Sequence, residues 1–172
     1  MELRRMELEQ HVAVPEHLHP QSRVWIFQSS RPFNEQEEKE IDEQLYQFYV
    51  QWKSHGKTVT GWAKLVFRYF VVVVADETQT GVGGCSTDAM TRIIKSLERQ
   101  YSVNFFDRLT LTFLVDDKPQ PLPMQQVSYA LQQGFIETDS LLFNNLVDTK
   151  EKLLREWLVP LNQSWLWARL NP

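Results

Sequence analysis

An α+β fold is predicted, with elements in the β-α-β-β-α-β order of a ferredoxin-like sandwich. Three observations carry it. Asn34 and Glu37 form a helix-capping pair ahead of an apolar stripe at helical spacing, and residues 69–75 (YFVVVVA) form an unbroken apolar run. A second helical stripe then follows a Gly-rich stretch that ends at Cys85.

The elements follow in chain order. Residues 1–21 are polar, contain two prolines and show no sustained period, which predicts a loosely ordered lead-in with a short helical start. Residues 24–28 (VWIFQ) are β-branched and aromatic, as a strand requires. Asn34 can accept a bond from a free backbone N–H, Glu37 completes the capping box, and Ile41, Leu45, Phe48 and Trp52 follow on one helical face. Gly56 is expected to stop that helix in the left-handed conformation. Residues 58–67 read as a second strand. The run 69–75 reads as a central strand buried on both faces, with only Arg68 marking the turn between them.

After a polar, Gly-rich loop (76–85), Ser86 or Thr87 is expected to cap a helix whose stripe is Met90, Ile93, Ile94, Leu97 and Tyr101. Residues 109–115 (LTLTFLV) supply the fourth strand. Beyond it come a helical stretch at 124–133 stopped by Gly134, a strand at 141–147, and a helix opened by Asp148 with Glu151 and ended near Pro160. A single domain is therefore expected over 22–172, with its core at 22–117 and an extension at 118–172.

Composition narrows function. A net charge of −4 and a pI near 5.6, without a basic stripe, argue against nucleic acid. Residues 70–75 are the longest apolar run, too short to span a bilayer, and the first residues lack the apolar segment of a secretory signal. One cysteine can form neither an internal disulfide nor a thiolate zinc site, and it suits a reducing cytoplasm. His11, His17 and His19 lack an acidic partner at ligand spacing, so neither metal nor cofactor is expected.

Two fragments imitate a nucleotide site. Residues 51–58 (QWKSHGKT) end like a P-loop, and 71–77 (VVVVADE) resemble a magnesium-holding strand. A P-loop needs a strand before it and a helix after it, so that amides and the helix N-terminus surround phosphate. Here the order is inverted, and Gln51 replaces the first glycine. In a further near-match, 79–86 (QTGVGGCS), cysteine stands where lysine must. A P-loop ATPase is not expected.

The segments VWIFQSSRPF, GGCSTD after an acidic pair, NFFDRL, FNNLV with DTK, and VPLNQSWLW resemble a family of uncharacterised bacterial proteins. Members of that family often carry the automatic label "ABC transporter ATPase". The likeness runs over most of the chain from Val24. Gly83 and Thr87 depart from the Ser-Gly-Cys-Ser-Ile-Asp run of related members. The resemblance brings no catalytic residues with it, and the motif reading contradicts the label.

Two classes of function remain. The leading expectation is a non-catalytic ligand- or protein-binding module. The alternative is a small enzyme with Cys85 as nucleophile, since a helix start favours thiolate and the expected topology puts His55, Lys57, Asp76 and Glu77 on the same sheet edge. In that arrangement Cys85, His55 and Asp76 would be catalytic, and Gly83, Gly84, Ser86, Thr87 and Lys57 would bind an anion. Arg31 could hold a carboxylate or cap the first helix region. The aromatic tail (Trp157, Trp165, Trp167) is expected in the core, with a homodimer contact as its other use.

Overall fold

A computed structural model describes residues 2–170. The first sheet joins β1 (Arg23–Gln28), β4 (Thr60–Val66) and β5 (Phe70–Asp76) in the order β1-β5-β4, antiparallel throughout. Every residue of β5 is buried, as its unbroken apolar run predicts. The alternation of a strand explains where they go. Val71, Val73 and Ala75 join one core, while Phe70, Val72 and Val74 join another.

Two helices cover the first face. α2 (Glu35–Val50) has the expected capping box: the Glu37 amide donates to Asn34, and the Glu37 side chain accepts from the Asn34 amide. It contributes Ile41 and Leu45, and α3 (Gly84–Tyr101) contributes Met90, Ile94 and Leu97. The second face is closed from both ends of the chain. Residues 2–12, expected to be loosely ordered, form α1 (Glu2–Val12), which buries Leu8 and Val12 there. From the other end come Leu153 of α5 (Lys150–Glu156) and Trp157.

α2 ends at Val50, with Gln51 as its C-cap, so Gly56 is not the helix stop that the sequence suggests. Trp52 leaves the helix to bury its indole, and residues 53–58 fold into a miniature hairpin of β2 (Lys53–Ser54) and β3 (Lys57–Thr58). His55 (φ 51°) and Gly56 (φ 79°) form its turn, both left-handed as a type I′ hairpin demands. A second left-handed pair, Phe67 and Arg68, joins β4 to β5. Phe67 is a bulky residue for that conformation, and rings of His11, Phe143 and Trp157 pack around it.

The fourth strand departs from the ferredoxin-like order, in which it would pair with the first. β6 (Thr110–Val115) instead enters a second antiparallel sheet with β7 (Lys118–Pro123), β8 (Leu141–Phe143) and β9 (Leu158–Pro160), in the order β7-β6-β8-β9. The seam between the sheets is therefore earlier than residue 117. A side chain bridges it. Gln28, at the end of β1, donates to the Thr110 carbonyl at 3.1 Å and accepts from Thr112 Oγ1 at 2.7 Å and Asn145 Nδ2 at 3.2 Å. The edge of β1 is meanwhile occupied by the 148–150 segment, with the Val24 amide donating to the Asp148 carbonyl.

The second sheet packs one face on α4 (Val127–Gln132) and on the chain's last segment, including α6 (Trp167–Leu170). Gly134 (φ 72°) follows α4 as expected. α5 is capped by Thr149, not Asp148, because the Thr149 hydroxyl accepts the Lys152 amide. Trp157 is fully buried, and Trp165 and Trp167 lay half-buried rings against the core between the second sheet and α4, built on Phe113, Val127 and Leu142. Among the described residues no helix is long and apolar enough to cross a membrane.

Candidate functional site

The expected constellation around Cys85 is brought together only in part. α3 starts at Gly84, one turn earlier than a Ser86 or Thr87 cap would have it, and its N-cap is Gly83 without a side-chain bond. Cys85 is thus the second residue of the helix, exposed, and its thiol makes no hydrogen bond among the described residues. His55 does come close: a Cβ built on Gly83 would stand 3.2 Å from its Nε2. Lys57 is exposed on the hairpin.

Most of the polar groups predicted to hold an anion are already used. Ser86 is buried and donates its hydroxyl to the Lys53 carbonyl at 3.1 Å, and the Ser86 carbonyl accepts the Trp52 indole N–H at 3.0 Å. The Thr87 hydroxyl turns back to the carbonyls of Gly83 and Gly84. The amides of Ser86 and Thr87 donate to the Gly83 carbonyl. This geometry docks the hairpin on the start of α3. Lys57 and Thr58 lead along a strand, and the next helix begins only at Gly84, so the Gly-Lys-Thr triplet lacks the helix N-terminus that a P-loop uses.

Asp76 faces elsewhere. It is buried, accepts from the His19 amide at 3.1 Å and from both the amide and the hydroxyl of Thr78, and ties residues 19–22 to the end of β5. Burial alone would raise its carboxyl, but the Thr78 and His19 donors outweigh that and hold it below the usual carboxylate range. Nearby, the buried Lys150 donates its ammonium to the carbonyls of Pro15, Glu16 and Leu18. Arg31 is likewise structural. It pairs with both Glu37 carboxylate oxygens and donates to the Tyr101 carbonyl at 2.9 Å, joining the start of α2 to the end of α3.

His11 stacks on Phe67, and His19 Nδ1 accepts the Gln21 amide. Among the described residues no group of three or more His, Cys, Asp or Glu is placed to hold a metal.

A different site was not foreseen from the sequence. The strands of the β6–β7 hairpin have six residues each, about 20 Å of sheet, whereas the six residues of α4 make only about 9 Å of helix. α4 is therefore shorter than the hairpin it packs against. Between them lies an open cleft of about 340 Å³, lined chiefly by Phe113, Val115, Leu122, Ala130, Phe135 and Ile136. Gln120 is the polar side chain of the lining, and Phe135 stands at the site 72% exposed. The one local signal was a large apolar residue directly after the helix-stopping Gly134, because the other walls come from distant segments.

Comparison with protein-family models, with curated proteins and with solved structures gave no match.

Proposed function

We propose that the chain is a non-catalytic binding module that receives an apolar group in the cleft between the β6–β7 hairpin and α4. The observation that carries this reading is Phe135, a large ring left 72% exposed beside an apolar hollow. Exposing such a ring in water is unfavourable, and an inserted ligand would cover it. The cleft is at the small end of ligand pockets, and its apolar lining with few polar groups is usual for them. A cytoplasmic location, supported by the exposed Cys85 thiol, belongs to the same proposal. So do the family resemblance and an incomplete ferredoxin-like origin for the first sheet, which the order β1-β5-β4 with α2 and α3 on one face supports.

The test is a methyl NMR titration of the full chain with indole, a neutral aromatic probe. Saturable shifts are expected at Val115, Leu122 and Ile136 and should be lost in Phe135→Ser, an exposed position whose change leaves the fold intact. Methyls that stay unmoved to millimolar indole would overturn the reading.

A second reading rests on His55, whose imidazole reaches Gly83 beside the helix turn that carries Cys85. In that case Cys85 is a nucleophile assisted by His55. Alkylation by iodoacetamide would then be faster than in His55→Ala. Equal rates would leave Cys85 an ordinary surface thiol.

A further inference from the structure

Resting on the cleft reading, we infer that its occupant is a basic amphipathic helix of another protein, held by apolar anchors in the cleft and by Lys or Arg against an acidic rim. Three features of the second sheet lead there.

The first is charge. Asp116 and Asp117 directly follow the lining residue Val115, and Glu137 and Asp139 follow the lining residue Ile136. All four are exposed, and none forms an ion pair among the described residues. Between residues 110 and 147 the only basic side chain is Lys118. Four acids against one lysine give this segment a net charge of −3, most of the −4 of the whole chain. An apolar ligand bearing negative charge would be repelled, and one flanked by cations drawn in.

The second feature excludes an added strand. Asp116 and Asp117, both left-handed, make a two-residue turn, which sets Val115 and Lys118 as a hydrogen-bonded pair. The Met124 amide donates to the Leu109 carbonyl, which keeps the same phase at the other end of the ladder. Lys118, Gln120 and Leu122 thus bond inward to β6. The outward positions are Pro119, Pro121 and Pro123, which have no N–H to offer. An extended peptide would meet carbonyls alone along this edge, so strand addition is disfavoured.

The third feature is shape. The cleft is open to one side, so a side chain projecting from a bound partner can enter it. A helix presents such anchors at i and i+3 or i+4, with charges on its flanks, and needs no backbone partner from the host.

The experiment uses two synthetic peptides that repeat the helical patterns LKKLLKL and LEELLEL, titrated into the full chain at low salt and followed by the same methyl signals. The Lys peptide is expected to shift Val115, Leu122 and Ile136 and the Glu peptide to leave them unmoved. In the variant D116N/D117N/E137Q/D139N, which changes only exposed side chains, the Lys peptide should bind about tenfold more weakly while indole binds as before. Equal binding of the two peptides, Lys-peptide shifts that map elsewhere, or unchanged affinity in the variant would each overturn the inference. If indole binds and the Lys peptide does not, only the basic-helix partner is refuted. Failure of indole refutes the cleft itself.

Discussion

The indole of Trp52 occupies the space that a side chain on Gly61 would need: a Cβ built there would stand 2.8 Å from Trp52 Cε3. The ring cannot swing aside, since Trp52 is almost fully buried and its N–H is bonded to the Ser86 carbonyl. Gly61→Ala should therefore force the hairpin or β4 to shift, at a cost of roughly 1–3 kcal/mol. A thermal melt checks this, and a variant that melts with the wild type would mean the segment around Trp52 yields freely.

Lys150 gathers three backbone carbonyls and, among the described residues, has no carboxylate partner at bonding distance. Methionine would keep most of the packed stem and remove the donor, leaving the buried Leu18 carbonyl orphaned, whereas the Pro15 carbonyl keeps the Leu18 amide. Lys150→Met is expected to lose roughly 1–3 kcal/mol. Amide exchange should quicken from Leu18 to Ser22, including the His19 amide bonded to Asp76. Unaltered exchange there would show that the ammonium is not what fixes this segment.

Asp42 on α2 accepts the outward amide of Leu65 at 2.8 Å and so blocks part of the β4 edge. Burial pushes its carboxyl above the ordinary value of 3.8, more than the Leu65 bond pulls it down. The sign follows from proton linkage. A raised folded-state value gives stability that is fully present below 3.8 and is lost as pH rises through the raised value. Asparagine accepts the same bond without charge. Asp42→Asn should match or exceed wild-type stability at pH 7, with a flatter pH dependence just above 3.8, whereas Asp42→Ala should lose stability by stranding the Leu65 amide. An asparagine variant that melts well below wild type at pH 7 would refute this account.

Magnesium-ATP should leave the melting temperature unchanged, because Lys57 extends from a two-residue strand and the amides of Ser86 and Thr87 already have partners. A rise of several degrees would show nucleotide binding and overturn this reading of the motifs.

What the sequence disclosed, and what it hid, follows from the range of each interaction. The Asn34–Glu37 box and the double-faced run of β5 are local, and both stand where the residues put them. The 53–58 hairpin escaped because two-residue strands show no period and Gly56 after an apolar stripe imitates a helix end. A His-Gly pair between short polar flanks was the available hint, since His tolerates the left-handed region better than most residues. α1 was hidden because it commits only Leu8 and Val12 to the core among its described side chains. The departure of β6 leaves a seam where Gln28, Thr112 and Asn145 meet, three residues that are remote in sequence and come together only in the folded chain. The cleft was hidden for the same reason, since its walls come from the β6–β7 hairpin, α4 and the residues after Gly134.

The covering of the first sheet also sets a timetable. On the ribosome, Phe70, Val72 and Val74 emerge long before much of their cover, since Phe143, Leu153 and Trp157 lie far downstream. A nascent chain that stops short of this segment has α1 alone to lay against a greasy sheet face, and truncation before Phe143 should be read out as aggregation rather than as a smaller folded protein.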